Sequence, residues 1–336
     1  MGKDIICLEC GAKNTYEFKE TIREYKGDGY HFEMLVIVPF CAQCGAPVYD
    51  EEVEKGIAQE ANSKIRSQRE IITRKEILQI LETYNVSQKF LSKLLGWGEI
   101  TLTRYISGNY TPSLSNSNRL KELYNPYVFQ MLMQNYCEGQ VEEKDEKSIK
   151  KAQSKITQEL GKLGETQGKI FGVVNWFLSQ SSEEAPITHL ALQKLLYFSQ
   201  NWSSVLLDKT IFNDACQAWA HGAVYPKVYE FFKRFKYMPL PKVEETTVFD
   251  ERELQVLNAV KRYYFDTYTA KSLEEICHRE KPYIEARKGY LDGEICHETI
   301  LKDQIISYYD SISQTYGINL TNISNIRNYL NIVLSK

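Results

Sequence analysis

Residues 87–110 read SQKFLSKLLGWGEITLTRYISGNY and hold two short amphipathic segments. Ser87 is a residue type that caps helices, and the apolar residues of KFLSKLL follow at the spacing of one helix face. Gly96-Trp97-Gly98 then interrupts the pattern, because glycine adopts positive φ without steric cost. We therefore predict a helix, a tight turn and a second helix that begins at Glu99 and ends at Gly108-Asn109.

The second helix has the side chains that a DNA groove accepts. Leu102 and Ile106 are four residues apart and predict its inward face. Hydroxyl groups and an arginine, which contact phosphates and base edges, occupy its other positions. The pattern indicates a helix-turn-helix, with an ordinary helical hairpin as the alternative. The expected contacts to double-stranded DNA are Ser87, Gln88, Thr101, Thr103, Arg104 and Tyr105, the last four on the outer face of the second helix.

The charge of the chain is unevenly distributed. The 336 residues, enough for two or three domains at about 150 residues each, carry a net charge of −3. Residues 1–60 contain 6 Lys/Arg and 12 Asp/Glu, whereas residues 61–123 contain 10 and 5. The positive excess therefore lies on the helix-turn-helix segment, where phosphates would require it. Because there is no signal peptide or long apolar run, we expect a cytoplasmic protein with no membrane partner.

Four of the eight cysteines form two C-x-x-C-G pairs. The glycine after each pair permits a tight turn, and two extended stretches separated by Gly27-Asp28-Gly29 predict a hairpin that brings the pairs together. Four thiolates in a tetrahedron favour a structural Zn²⁺ ion. An iron site and a redox dithiol are the alternatives. The predicted ligands are Cys7, Cys10, Cys41 and Cys44.

Composition divides the chain into five parts. Residues 51–72 carry alternating charge with few apolar anchors, which indicates a solvated helical connector. The stretch Glu138–Lys169 is polar and charged and cannot form a core, so we predict a linker that is helical at most in its middle. The chain is expected to be mainly α, with a small β zinc ribbon (1–50), a connector (51–63), a helix-turn-helix domain (64–136), a charged linker (137–169) and an α-rich domain (170–336).

Two cysteine–histidine arrangements could suggest chemistry. Cys216 and His221 could act as a thiolate and its base, and Cys277-His278 with Cys296-His297 could form a second metal site. Cys216 and His221 lack an orienting carboxylate and a motif context. The side chains of an adjacent Cys-His pair on a helix point about 100° apart, which is poor geometry for chelation. We interpret these residues as core material. Since the sequence contains no phosphate loop or other catalytic motif, we expect no enzymatic activity.

The N-terminal half resembles the MqsA/YgiT-like antitoxins. The resemblance rests on the four-cysteine ribbon, the connector, and the helix-turn-helix with its GxG turn, its Thr103-Arg104-Tyr105 stretch and the following S-G-N. It implies a ribbon used for structure or toxin contact and helices that bind an operator. Arg104 matches an arginine that contacts operator bases in that family. An asparagine that reads bases falls on Ile100 here, so base readout at that position is expected to differ.

The C-terminal half resembles the Panacea domain of SocA-like antitoxins. The matching segments are LQKLLYF at 192–198, AW at 218–219, GAV at 222–224 with the following proline, and His278 with Pro282-Tyr283 and Ala286-Arg287. Ala223 stands where the family usually has proline, and Tyr283 where tryptophan is common. The resemblance implies an α-rich domain that binds and neutralises a toxin. The motif residues expected at the toxin interface are Gln193, Lys194, Tyr197, Trp219, His221, Tyr225, Lys227 and His278.

The two resemblances together lead to one hypothesis and two alternatives. The hypothesis is a type II antitoxin that neutralises a cognate toxin through its C-terminal domain and represses its own operon, as a homodimer, through the helix-turn-helix. The first alternative is a stand-alone or prophage transcription regulator whose large domain senses a ligand or a host protein. The second is a cysteine hydrolase that uses Cys216 and His221.

Overall fold

The computed structural model describes residues 6–13, 15–27, 30–68, 71–139 and 141–335. The chain is mainly helical in this part, and its strands form two two-stranded sheets, which confirms the predicted fold class. It divides into two compact units. The first comprises Met1–Tyr124 with Glu142–Lys151, and the second comprises Asn125–Val141 with Ala152–Lys336. No helix of the described ranges has the length and apolar character needed to cross a membrane.

The first unit begins with the predicted hairpin. Strands β1 (Tyr16–Gly27) and β2 (Tyr30–Cys41) pair antiparallel in a register that sets Tyr16 opposite Cys41. Asp28 and Gly29 of the expected turn lie outside the described residues. Because successive strand residues face opposite sides, the inner face of β2 presents a row of apolar side chains to the next helix. This row consists of Met34, Val36 and Val38.

The expected solvated connector at 51–63 is instead part of a packed helix. Helix α1 (Glu51–Gln68) buries Ile57 and Ala61 against the inner face of the hairpin. Both guanidinium nitrogens of Arg23 also donate to the Glu54 carboxylate, at 2.7 and 2.9 Å. Two buried apolar residues at helical spacing are enough to pack this helix, because the hairpin supplies the opposing apolar surface.

Four short helices form the rest of the described core of the first unit. Ser87 caps α3 as predicted, since its hydroxyl accepts the Phe90 N–H at 3.1 Å. Gly96 and Gly108 take positive φ values of 68° and 82°, which end the two helices of the motif. The second helix starts at Thr101 and not at the predicted Glu99. The elements are α2 (Arg74–Thr83), α3 (Gln88–Leu94), α4 (Thr101–Ser107), α5 (Leu114–Lys121) and a 3₁₀ turn (Glu122–Tyr124).

The boundary expected at residue 136 lies earlier, after Tyr124. Helix α6 (Pro126–Cys137) belongs to the second unit. The buried Tyr127 hydroxyl donates to Asn175 Oδ1 at 2.7 Å, and its ring lies 4.5 Å from that of Phe232. The apolar spacing continues through this point and predicts one helical run, although Asn125-Pro126 is a helix-start signal that marks the boundary.

The segment 137–169, expected to be a linker, is mostly a packed helix. After a 3₁₀ turn (Glu143–Asp145), helix α7 spans Glu146–Thr166. Asn175 Nδ2 donates to the Leu160 carbonyl at 3.0 Å, which ties the part of the helix after Lys151 into the second unit. The predicted linker is wrong because one narrow apolar stripe is enough to pack a polar helix. The buried stripe consists of Ile149, Ala152, Ile156 and Leu160.

The second unit is built around a central helix. Helix α9 (His189–Leu206) is capped by Thr188 and is buried on nearly all sides, as its apolar pattern predicts. A small hairpin of β3 (Gln217–Trp219) and β4 (Gly222–Val224) packs against α9. The other elements are α8 (Ile170–Ser179), α10 (Pro226–Phe232), α11 (Glu251–Val260), a π-helical turn (Lys261–Phe265), α12 (Ala270–Arg279), α13 (Lys281–Ala286), α14 (Lys302–Tyr316) and α15 (Ile326–Ser335), with 3₁₀ turns at Lys233–Phe235 and Ile323–Asn325.

Candidate metal centre, DNA-binding surface and groove of the second unit

The four predicted cysteine ligands meet at one end of the β1–β2 hairpin. Their Sγ atoms lie within 4.8 Å of one another, and the Cys7–Cys44 and Cys10–Cys41 pairs are each 3.6 Å apart. Gly11 and Gly45, at φ values of 75° and 76°, close two equivalent turns by donating to the carbonyls of Cys7 and Cys41 at 2.9 Å. The two C-x-x-C-G turns therefore present their thiols to a common point.

The arrangement fits a tetrahedral metal ion. Four sulfurs at about 2.3 Å from zinc would be roughly 3.8 Å apart, close to the observed 3.6 Å contacts. The backbone amides of Cys44 and Gln43 lower the pKa of the Cys41 thiol to about 7. Although the Ala12 amide opposes it, contact with the Cys44 and Cys41 thiols raises the pKa of Cys10 to about 12, so the four close sulfurs share their negative charge unequally in the absence of a cation. Within the described residues, this is the only cluster of three or more ligand side chains.

The helix-turn-helix presents a polar surface around α4. Thr103 and Arg104 are exposed, and the Thr103 hydroxyl donates to Gln88 Oε1 at 2.9 Å, which links the starts of the two helices. The Arg104 guanidinium lies 5.2 Å from the ring centre of the exposed Tyr110. Ile100, where the resemblance expects a base-reading asparagine, is 55% exposed at the start of α4.

The expected outward position of Tyr105 is wrong. Tyr105 is buried with Leu102 and Ile106, because positions i, i+3 and i+4 share one helix face. Its hydroxyl accepts a hydrogen bond from Asn116 Nδ2 at 2.9 Å, and its ring contacts Trp97 edge-on at 6.1 Å. Tyr105 therefore supports the motif from inside, and Ser87 serves as a helix cap.

Three separate segments of the Panacea-like pattern converge on the β3–β4 hairpin. From α9, Lys194 Nζ donates to the Ala223 carbonyl at 2.8 Å, and Gln193 Oε1 accepts the Tyr225 N–H at 2.8 Å. From the C-terminal side, the Tyr283 hydroxyl donates to the Trp219 carbonyl at 2.7 Å. The pattern thus describes how the hairpin is held in place.

The eight predicted interface residues divide by exposure. Four of them are core residues: Gln193, Lys194, Tyr197 and Tyr225 are each at most 2% exposed. Trp219 and His278 are half-buried, and the His278 ring stacks on Tyr283 at 4.8 Å. His221 and Lys227 are exposed. Direct contact with another protein is therefore available to part of this set only.

Gly222 is required by the hairpin geometry. Its φ is 92°, and a Cβ atom there would lie 2.7 Å from Lys194 Nζ. We expect Gly222→Ala to lower the free energy of unfolding by about 1–3 kcal/mol from backbone strain alone, with a further loss from displacing the buried lysine. Gly289→Ala is the matched control, because Gly289 has φ 97° with no atom within 4 Å of the added Cβ. Urea unfolding of both variants measures these free energies. An equal loss of stability in Gly222→Ala and Gly289→Ala would show that the contact with Lys194 adds nothing beyond backbone strain.

The catalytic alternatives find no support in the geometry. Cys216 is buried, and burial raises the pKa of its thiol. His221 faces Glu274 instead, with Nδ1 3.3 Å from Oε1, and no hydrogen bond joins it to Cys216 in the described part of the chain. Cys277 Sγ accepts the Ala223 N–H at 3.3 Å. These thiols are core groups in this structure.

A groove of about 700 Å³ opens beside the β3–β4 hairpin. Its lining comes from the start of α9, the hairpin, α10, α12 and the segment before α14. Trp219 and Tyr229 form one wall, with ring centres 4.7 Å apart. Sequence patterns gave no indication of the groove, because its residues come from five separate stretches. One residue could have pointed to the groove: Lys194 lies inside the apolar segment LQKLLYF, and a charged residue in such a segment is unusual.

This combination of a four-cysteine ribbon, a helix-turn-helix and a hairpin-bearing α domain defines a class of protein that matches two antitoxin families. Residues 5–126 match the family model described as the antitoxin component of a bacterial toxin-antitoxin system, MqsA. Residues 192–284 match the model described as antitoxin SocA-like, Panacea domain. These matches confirm both resemblances. A comparison with curated proteins found no significant match.

Proposed function

We propose that this protein is an antitoxin that binds a toxin through its second unit and an operator through its first. The observation that carries the proposal is that two antitoxin family models match one chain, over residues 5–126 and 192–284. The first match ends within two residues of the first unit's limit at Tyr124. Such a protein would act in the cytoplasm, without enzymatic activity of its own.

The metal centre is proposed to hold one structural Zn²⁺ ion. Cys7, Cys10, Cys41 and Cys44 would be its four ligands, which leaves no open position for a substrate. Bound zinc would fix the two turns to the end of the hairpin and so stabilise the surface that packs on α1.

The DNA contact is proposed to centre on α4. Thr103, Arg104 and Gln88 lie at or near the surface around its first half, and Arg104 can donate to guanine or to phosphate. The exposed Ile100 can contact a thymine methyl group in place of the asparagine contact of the family. We propose a homodimer on a two-fold operator, because helix-turn-helix proteins commonly bind paired half-sites.

Arg104→Ala is expected to weaken operator binding by about 1–3 kcal/mol if the guanidinium reads a base. The reason is the loss of a charge-assisted contact from an exposed helix position. Affinity measured on the DNA upstream of the gene, at fixed salt, checks the prediction. Lys55→Ala on the exposed side of α1 is the control and should bind like wild type. An unchanged footprint with Arg104→Ala would move recognition away from α4.

The toxin contact is proposed to use the exposed residues beside the β3–β4 hairpin. His221 and Lys227 are exposed and Trp219 is half-buried, and both His221 and Trp219 line the groove. The buried motif residues would act indirectly by holding the hairpin. A strip of exposed apolar side chains on the outer face of the β1–β2 hairpin is a second candidate surface. It comprises Phe18, Ile22, Leu35 and Ile37, each 54–63% exposed.

Coexpression with the product of the adjacent gene tests the proposal. Wild-type protein should restore growth and copurify with that product, and Lys227→Glu should weaken both effects by placing a negative charge at the proposed contact. Lys242→Glu, at an exposed site of the same unit between the Lys233–Phe235 turn and α11, should behave like wild type. If the wild-type chain gives no rescue and no complex, the neutralising role is wrong. If rescue survives Lys227→Glu but fails with Ile22→Asp, the ribbon carries the contact.

The groove favours a second candidate, a transcription regulator that senses a ligand. Its volume of about 700 Å³ lies in the range of small-molecule sites. Operator binding that changes with a small molecule, in a chain that neutralises no neighbouring gene product, would favour this candidate over the antitoxin.

A further inference from the structure

The groove beside the β3–β4 hairpin has a one-sided charge. Its lining holds four lysines and one glutamate. The glutamate, Glu274, is already satisfied, because Lys271 Nζ donates to both of its oxygens at 2.8 Å and His221 lies 3.3 Å away. Although burial opposes it, these contacts lower the pKa of Glu274. Lys233 is also paired, because its Nζ donates to Glu230 Oε2 at 2.6 Å. Lys194 and Lys236 have no carboxylate partner among the described residues, and these two leave the lining with an excess of positive charge that an anion could balance. The four lysines are Lys194, Lys233, Lys236 and Lys271.

Lys194 is the unusual member of this set. It has no exposed surface, and its Nζ donates to the Ala223 carbonyl at 2.8 Å. An ammonium group has three N–H donors, and no carboxylate of the described residues lies within ion-pair distance of this one. Burial lowers the pKa of Lys194, because the charged form loses its hydration. A bound anion in the groove would favour the charged form of Lys194 and so oppose the effect of burial.

Part of the groove lining is aromatic. The Trp219 ring lies 4.7 Å from Tyr229 and 5.1 Å from His297, and His189 lies 5.0 Å from Tyr229. Tyr237 stands at the rim with 95% of its surface exposed. Flat rings of this kind bind a planar ligand group by stacking and exclude water from its faces.

We propose that the groove binds a mononucleotide, with its base against Trp219 and Tyr229 and its phosphate toward Lys194 and Lys236. The size of the cavity, its aromatic wall and its excess of lysines each match one part of that ligand class. An inorganic anion would leave the aromatic wall unused, and a neutral ring would leave the lysines without a counter-charge.

Calorimetric titration of the full-length protein tests the proposal. The probes are AMP, GMP, CMP and UMP, with adenosine and inorganic phosphate as the two half-ligands. At least one nucleotide should bind more tightly than either half-ligand, and its affinity should fall as NaCl is raised. Lys236→Gln and Trp219→Leu should each weaken binding about tenfold, the usual effect of one charge-assisted or stacking contact. Both residues lie at the surface or half-buried, so the variants should fold; circular dichroism checks this.

Lys288→Gln is the matched control, since Lys288 is an exposed lysine of the same unit outside the groove. It should bind the nucleotide like wild type. The proposal is overturned if none of the four nucleotides binds at about 1 mM, if inorganic phosphate binds as tightly as the nucleotides, or if Lys288→Gln weakens binding as much as Lys236→Gln. These measurements use no toxin and no operator, so their failure leaves the antitoxin proposal unaffected.

Discussion

Removal of the metal is expected to unfold the four-cysteine turns and the β1–β2 hairpin while leaving the second unit folded. Structural zinc in so small a module contributes on the order of 10 kcal/mol to folding. The two small apolar clusters of the hairpin, one around Cys7, Cys41 and Val48 and one against α1, are not expected to replace it. Hydrogen exchange after chelation should show loss of protection in β1 and β2. Protection in α9, which lies in the core of the second unit, should remain.

Two cysteine variants make the metal experiment specific. Cys44→Ser removes one ligand and should reproduce the effect of the chelator, with loss of the single bound metal ion. Cys137→Ser is the control, because Cys137 is exposed and lies outside the cluster. If metal analysis finds iron in place of zinc, the site is the iron site that the cysteine spacing also allows. A folded hairpin in the metal-free protein would contradict the structural role of the site.

Glu280→Gln is expected to make the protein more stable than wild type at pH 8. Glu280 is fully buried, its Oε1 accepts from the hydroxyls of Tyr309 and Tyr329 at 2.8 Å, and its Oε2 has no partner among the described residues. Burial raises the pKa of this carboxyl from 4.5 to about 7, although the hydroxyls of Tyr309 and Tyr329 and the nearby hydroxyl of Tyr197 oppose the rise. Burial also raises the pKa of both phenols, so they remain donors.

The sign of the pH effect follows from linkage. The unfolded chain releases the Glu280 proton near pH 4.5, whereas the folded chain keeps it until about pH 7, so the stability contributed by this group falls across that window as pH rises. At about 1.4 kcal/mol per pKa unit, the fall is on the order of 3 kcal/mol.

Denaturant unfolding between pH 4.5 and 8 measures this effect. The stability difference between wild type and Glu280→Gln should grow across the window, because glutamine stays neutral at every pH and its carbonyl can still accept from the tyrosines. Glu285→Gln, at an exposed site on α13, should follow wild type. If the free energy of unfolding changes with pH in the same way in wild type and Glu280→Gln, the buried carboxyl does not titrate between pH 4.5 and 8.

Features that depend on local chemistry could be predicted from the sequence. The cysteine spacing was sufficient to predict the four-cysteine cluster, because a C-x-x-C-G turn orients both sulfurs by itself. Ser87 and Gly108 marked the limits of the helix-turn-helix, since caps act within one turn. The apolar pattern of α9 predicted a central helix because few other environments cover every side of a helix.

Features that depend on a distant partner could not be predicted. The sequence of helix α7 predicts a linker because its four buried apolar residues are separated by many charged ones. That these four residues pack into a core is visible only in the folded structure. Tyr105 resembles a surface residue until Asn116 and Trp97 enclose it. The motif residues Lys194 and Gln193 read as interface residues, yet they secure a hairpin about 30 residues further along the chain.

The central claim is that the two units carry separate functions, DNA binding and toxin neutralisation. The most direct test is a strain in which growth reports toxin activity and a reporter on the native promoter reports repression, complemented with wild type, Arg104→Ala or Lys227→Glu. We predict that Arg104→Ala releases the reporter while growth stays normal, and that Lys227→Glu impairs growth. Failure of the wild-type chain to support growth or to repress the reporter, or loss of both activities together with Arg104→Ala, would contradict the account.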